Sequence, residues 1–183
     1  MIYFTTMSSR LSTLAFVVLL AAATTAAAQD GGGWLAGQGN GCKLWLPAIG
    51  PDFSLKWTGP CKDGLTDGNG TALLFFNGKQ ILRYDGDMRA GRFDGRGFAY
   101  FPFGTYTGGW RDGKRSGQGI QTWKDGSRYD GNWKDDKASG SGTLVDNKGT
   151  SYAGTWLSGC LRRTPGQLRP PISVGANDCP RSY

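Results

Sequence analysis

The side chains that most often carry out catalysis are missing from this chain. It has no His, and all 14 of its acidic residues are Asp, so the commonest general acid–base side chains are absent. Several Asp residues lie in or beside segments that resemble turns, where the side chain caps the backbone, although a carboxylate pair could serve a glycosidase. These are Asp112, Asp125, Asp130, Asp135 and Asp136. We therefore expect no enzyme, no catalytic residue and no cofactor.

Four cysteines supply the other reactive side chains, namely Cys42, Cys61, Cys160 and Cys179. An even number of cysteines behind a secretion signal predicts disulfides, and three pairings are possible. We favour Cys42–Cys61 and Cys160–Cys179, because each pair closes a short loop at one end of the repeat array described below. A metal site is disfavoured, since the thiols show no C-x2-C spacing and no His accompanies them.

The N-terminus has the pattern of a secretion signal. Arg10 is the charged element, residues 14–22 form an apolar run, and residues 26–28 give a small-residue cleavage pattern. We expect residues 1–28 to be a signal peptide removed after Ala28, with Met7 as an alternative start. The mature chain is then predicted to be periplasmic or secreted, without a membrane span.

The remaining candidate side chains lie in a repeated segment, which must determine their positions. Four segments of the form Tyr-x-Gly-x-(Trp/Met) begin at Tyr84, Tyr106, Tyr129 and Tyr152. Gly-x-Gly follows the first three segments in the same register. Such self-similarity indicates stacked units, each of which buries its apolar side against its neighbours.

Within each unit the residues alternate with period 2, which predicts strands, and Asp-Gly pairs between them predict hairpin turns. Glycine at alternate positions lets an aromatic ring from a neighbouring strand lie on bare backbone. A phosphate-binding loop is excluded, because no helix follows the Gly-x-Gly pairs. The predicted fold class is all-β: an elongated, single-layer antiparallel meander of repeated β-hairpins with a disulfide at each end.

The unit resembles the MORN repeat. The resemblance covers roughly residues 57–159 and is strongest over 106–156, with Cys61, Met88 and Asp136 as departures from its pattern. The segment from Cys42 to Cys61 is similar to the start of exported bacterial proteins with these repeats. The resemblance implies an elongated β array for protein contacts or membrane-proximal scaffolding, with no catalytic residues.

The predicted organisation has four parts. After the signal peptide, residues 29–56 form a flexible leader and N-terminal cap, and residues 57–159 form the repeats. Residues 160–183 form a tail rich in Pro and Arg, and its prolines exclude regular structure through most of it.

The repeat aromatics allow two interpretations. They could form an exposed platform for sugar rings or bases, or they could be the core of a thin sheet that has little else to bury. The candidate binding surface consists of Tyr106, Trp110, Trp123, Tyr129, Trp133, Tyr152 and Trp156.

The formal net charge is +7. Basic residues of the turns and the tail could contact anionic lipid headgroups, or they could form a solvated face. The candidate anion contacts are Arg111, Lys114, Arg115, Arg162, Arg163 and Arg169. Nucleic acid is a poor candidate ligand for an exported protein.

The sequence therefore predicts a non-catalytic binding or scaffold module that contacts a protein of the cell envelope. The alternative is a peripheral binder of anionic lipid or envelope polymer, acting through the basic turns and tail.

Overall fold

The computed structural model describes residues 32–162, 172–175 and 179, and this part of the chain contains only β-strands as regular structure. The predicted signal peptide lies outside the described residues. The strands are β1 Gly33–Ala36, β2 Lys43–Leu46, β3 Phe53–Trp57, β4 Cys61–Lys62, β5 Leu65–Thr66, β6 Gly68–Phe76, β7 Lys79–Arg89, β8 Arg92–Phe101, β9 Gly104–Arg111, β10 Lys114–Trp123, β11 Arg128–Lys134, β12 Lys137–Val145, β13 Ser151–Leu157 and β14 Cys160–Leu161.

Ten of these strands form one sheet, in the order β14-β13-β12-β11-β10-β9-β8-β7-β6-β3. Every neighbouring pair in it is antiparallel, and from β6 onward each strand pairs with the next one in the chain. The predicted all-β antiparallel meander is confirmed. A smaller sheet of order β1-β2-β5-β4 stands at its N-terminal end.

The N-terminal segment is more ordered than its composition suggests. Residues 29–56 were predicted to be a flexible leader and cap, but in their described part β1 pairs with β2, and β3 begins at Phe53. Tertiary contacts outweigh the glycine-rich composition: Trp45 N–H donates to the Gly91 carbonyl at 2.8 Å, and the guanidinium of Arg92 lies 4.2 Å from the Trp45 ring centroid. The leader therefore closes over the first repeat turn.

Tight turns align along one edge of the large sheet. At the turn of β9 and β10, Asp112 and Gly113 both have positive φ (49° and 81°), as the primed turns of hairpins require. Gly113 N–H donates to the Phe93 carbonyl of the preceding unit at 2.9 Å, and Gly159 N–H donates to that of Ala138 at 2.8 Å. Each turn is thus hydrogen bonded to the unit before it.

One glycine per strand lines up across the sheet from β6 to β13. Cross-strand pairing links this glycine row residue by residue: Gly70, Gly86, Gly97, Gly108, Gly119, Gly131, Gly142 and Gly154. We call the face toward which these glycines would project a side chain the inner face, and the opposite one the outer face. A Cβ at Gly119 would overlap the Tyr106 ring, and one at Gly142 would overlap the Tyr129 ring.

The aromatic rings of the inner face form a continuous aromatic ladder. Consecutive rings meet edge to face at centroid distances of 5.1–5.6 Å. Each such contact contributes about 0.5–1.5 kcal/mol beyond area burial. In spatial order the ladder is Tyr84, Trp110, Tyr106, Trp133, Tyr129 and Trp156.

Hydrogen bonds fix the orientation of these rings. The Tyr106 hydroxyl donates to the Gly109 carbonyl at 3.0 Å, and the indole N–H of Trp133 donates to the Gly119 carbonyl at 3.0 Å. Tyr129 and Trp156 make the equivalent bonds one repeat later. The units that begin at Tyr129 and Tyr152 are therefore each bonded to the unit before them through Trp133 and Trp156.

We predict that Gly119→Ala destabilises the protein much more than Gly154→Ala. The new methyl group at Gly119 overlaps the buried Tyr106 ring, which costs about 1–3 kcal/mol of the free energy of unfolding. At Gly154 the methyl group meets only the end of the flexible Leu161 side chain. Urea unfolding of both variants measures the difference, and equal losses would contradict the packing of Tyr106 on the glycine row.

Candidate functional site

Five of the seven predicted binding aromatics belong to the core. Tyr106 and Tyr129 are 0 % exposed, and Trp110, Trp133 and Trp156 are at most 7 % exposed. A partner could not reach these rings without unfolding the inner face. For these five residues the prediction of an exposed platform is therefore wrong, because the thin sheet uses them as its own core.

The remaining two aromatics, Trp123 and Tyr152, are half-buried at the margin of the inner face. Tyr152 belongs to the last repeat, and the Tyr152 hydroxyl donates to Asp146 Oδ2 at 3.0 Å. Trp123 closes β10, where its N–H donates to the Ser127 carbonyl at 2.9 Å. Both side chains remain partly accessible to a ligand.

The predicted anion contacts separate into three groups. Arg111 and Lys114 are exposed and lie directly opposite each other beside the turn of β9 and β10. Arg162 is exposed, and its N–H donates to the Thr155 carbonyl at 2.8 Å. Arg163 and Arg169 lie outside the described residues.

Arg115 is occupied within the protein. Its Nε donates to Asp136 Oδ1 at 3.0 Å, its Nη2 to the Asp136 carbonyl at 2.9 Å, and its Nη1 to the buried Gln121 side chain at 3.0 Å. The guanidinium also lies 4.2 Å from the Trp133 ring centroid. Arg115 therefore anchors Asp136, which has φ of 66° where other turns place Gly, and it is a poor anion contact.

Both predicted disulfides are confirmed. Cys42–Cys61 joins β2 to β4, and Cys160–Cys179 ties the tail to the last hairpin, with Cα–Cα distances of 5.7 and 5.6 Å. The tail then packs on the repeats: Val174 N–H donates to the Gly159 carbonyl at 2.7 Å, and the Val174 carbonyl accepts from Ala138 N–H at 3.2 Å. The two bridges thus fasten the segments that close the array at either end.

The outer face carries a groove that sequence reasoning missed. A depression of about 440 Å³ over β6–β8 adjoins another of about 300 Å³ over β8–β11, and both are lined by Arg96 and Gly97. Together they form the outer groove. Ile120 lines it on the β10 side, and Phe98 and Tyr100 lie on the same face with 38 % and 44 % exposure. The period-2 pattern could have located these residues, because they alternate with the inner-face positions of their strands.

The ion pairs on the outer face mostly join residues that are close in the sequence. Hydrogen bonds from the Arg83 guanidinium hold the pKa of the Asp85 carboxyl below its usual range, and Arg128 pairs with Asp130 at 2.8 Å. Arg96 makes no ion pair with any described residue. Among the described residues that line the outer groove, Arg96 is the one cation, and Asp85, Asp87 and Asp130 line it as well.

Two functional features are not found in the described part of the chain. No cluster of three or more Cys or Asp residues there could hold a metal ion, and no helix there is long and apolar enough to cross a membrane.

The sequence of three consecutive units, residues 84–105, 106–128 and 129–151, matches the family model of the MORN repeat. Residues 84–151 are three MORN repeats. In each of these repeats a Tyr covers the glycine row: Tyr84 lies on Gly97, Tyr106 on Gly119 and Tyr129 on Gly142. A comparison with curated proteins gives no match to the chain. MORN repeats are binding or scaffold modules without catalysis, and this coarse description applies to this part of the chain.

The buried tyrosines of the MORN repeats make the free energy of unfolding depend on alkaline pH. Burial raises the pKa of Tyr129 to about 12 and also raises the pKa values of Tyr84 and Tyr106. In the unfolded chain a phenol has a pKa of about 10. Below that pH the three buried phenols contribute their full stabilisation to the folded state, and this contribution is lost as the pH rises toward their raised pKa values in the folded protein. We expect the free energy of unfolding to fall above pH 10 by about 1.4 kcal/mol per pH unit for each phenol.

Urea unfolding between pH 8 and pH 11 measures this loss. Tyr129→Phe should be less stable at pH 8, because it lacks the hydroxyl bond to the Asn132 carbonyl, but its loss above pH 10 should be shallower. Equal slopes for the variant and the parent protein would show that the Tyr129 phenol is not buried.

Proposed function

We propose that the protein is an exported binding module that contacts another envelope protein through its outer face. The observation that carries the proposal is the asymmetry of the sheet. The aromatic ladder uses the large apolar side chains of the inner face as core, whereas Phe98 and Tyr100 are exposed beside a groove on the opposite face.

The outer groove suits an apolar segment of a partner protein. It crosses the strands from β6 to β11, five strand spacings of about 4.8 Å each, or roughly 24 Å. Its floor is backbone at the glycine row, and Phe98, Tyr100 and Ile120 provide apolar area that a partner would remove from water. Arg96 provides a positive charge that would orient the bound segment of the partner.

Export supports placing this contact in the cell envelope. The predicted signal peptide precedes the described chain, and the two disulfides are stable in an oxidising compartment and rare in a reducing one. The mature protein is then expected to be free in the periplasm or outside the cell.

A second candidate is the binding of anionic lipid or envelope polymer. The observation that favours it is the pairing of cations at consecutive turns: Arg111 opposite Lys114, and Lys134 opposite Lys137, all exposed. These turns lie on the same edge, two strands or about 10 Å apart, so they present a regular line of positive charge. Asp112 and Asp135 in the same turns reduce its net charge.

Affinity capture from an envelope extract tests the proposal with residues 29–183 as bait. We expect a protein that stays bound in high salt, and we expect the double variant Phe98→Ala/Tyr100→Ala to lose at least tenfold in affinity, as for the anchors of an interface. Leu157→Ala is the control, because Leu157 is an exposed apolar residue at the far end of the array (46 % exposed).

Three results would overturn this proposal. The first is no captured protein, and the second is equal loss in the control variant. The third is capture of only anionic lipid or polymer that high salt removes and that Arg111→Gln/Lys114→Gln weakens, since exposed charges are screened over about 10 Å at 0.1 M salt. That last result would establish the second candidate.

A further inference from the structure

A second pocket lies on the inner face, beyond the aromatic ladder and separate from the outer groove. It has a volume of about 380 Å³ and is bounded by the turn that follows β10, the turn that follows β12, and the tail segment at residues 173–175. The Cys160–Cys179 disulfide holds this tail segment against the last repeats. We call this pocket the inner pocket.

Three apolar side chains form one part of its wall. Val174 is buried, whereas Trp123 and Leu144 are half-buried, so part of their surface faces the pocket. None of the ring–ring contacts among the described residues involves Trp123. The Trp123 indole is therefore the one repeat Trp that can offer its ring to a ligand.

Two carboxylates form the opposing part of the wall, and the turns hold them in place. Asp125 Oδ1 accepts from the Ser127 N–H at 3.0 Å and from the Ser127 hydroxyl at 2.6 Å, which leaves Oδ2 without a hydrogen bond in the described part of the chain. Asp146 Oδ1 accepts from Thr150 N–H at 2.8 Å and from Lys148 N–H at 2.9 Å. Asp146 Oδ2 also accepts from the Tyr152 hydroxyl at 3.0 Å, so both oxygens of Asp146 already hold a hydrogen bond.

These carboxylates are charged in the folded protein. The hydrogen bonds from Ser127 lower the pKa of Asp125, and the backbone N–H of Thr150 lowers the pKa of Asp146. Among the described residues, none that lines the pocket is a Lys or Arg, although Lys124 and Lys148 are exposed beside lining residues in the sequence. The pocket thus combines negative charge with an aromatic ring in a chain of formal net charge +7.

We propose that the inner pocket binds an alkylammonium group. The ammonium is placed beside the carboxylates of Asp125 and Asp146, and the alkyl chain packs on Trp123, Leu144 and Val174. An indole ring attracts a cation at its face, and carboxylates supply charge-assisted acceptors, so both parts of the wall favour the same ligand. The source is either a Lys side chain of a protein or a free amine.

The test titrates the full mature chain with cadaverine and with 1,5-pentanediol, which has a similar shape but no charge. We expect saturable NMR shifts at the Trp123 indole and the Ser127 amide with cadaverine and none with the diol. N-acetyl-lysine methylamide is the second probe: its tighter binding would identify a protein side chain as the source, and tighter binding of cadaverine would identify a free amine.

Asp125→Asn is the decisive variant, because its amide oxygen can still accept from Ser127 while the charge is lost. We expect about fivefold weaker cadaverine binding, as for the loss of an exposed ion pair, and no change for Asp112→Asn, a turn Asp on the opposite edge. Trp123→Leu should also weaken binding. The proposal is overturned if the diol binds as well as the amine, if no saturable shift occurs, or if Asp112→Asn has the same effect as Asp125→Asn.

Discussion

The contact between a tyrosine ring and a row of glycines is the constraint on which the rest of this structure depends. A single-layer sheet has no second layer to cover its apolar side chains, so it must bury them against its own backbone. Removing the side chains at one position of every strand makes room for a ring from the neighbouring strand. Tyr106 lies on Gly119 in this way, and Tyr129 lies on Gly142. This contact joins the two strands of one repeat, and the Trp of the following unit adds a link between units: Trp133 donates to the Gly119 carbonyl and Trp156 to that of Gly142.

This constraint also divides the functions of the two faces. The side chains of the inner face form the core over the ladder, and at the margin of this face, near Trp123, lies the inner pocket. On the outer face, Phe98 and Tyr100 are exposed. At each end of the array, the terminal repeat lacks a neighbouring repeat that would cover it. The leader and the tail take that place, and each is fastened by a disulfide.

Much of this fold could be predicted from the sequence, because period and glycine placement are local features of the chain. The spacing of the repeats predicts the antiparallel meander. Trp57 stands where the other units have Tyr, and this position extends the predicted array toward the N-terminus. Trp57 indeed overlies Gly70, and its indole N–H donates three residues ahead, to Pro60, as the Tyr hydroxyls do. The disulfides followed from the position of each pair at one end.

The parts that could not be predicted depend on contacts between distant residues. The hydrogen bond of Trp133 is to Gly119, 14 residues away, and the role of Arg115 results from a partner 21 residues away. The strand at Gly33–Ala36 forms because the first turn offers a surface for Trp34, which its glycine-rich sequence does not reveal. The outer groove also depends on distant residues, because it forms only when the strands from β6 to β11 are paired side by side.

Hydrogen exchange of the tryptophan indole N–H groups, followed by NMR, tests the central claim most directly. The account predicts slow exchange for Trp133 and Trp156, whose indole N–H groups donate to the glycine row at 3.0 Å, and fast exchange for the exposed Trp34. Exchange of Trp133 and Trp156 at the rate of Trp34 would show that the rings are not held on the glycines, and the inner face would not be the core.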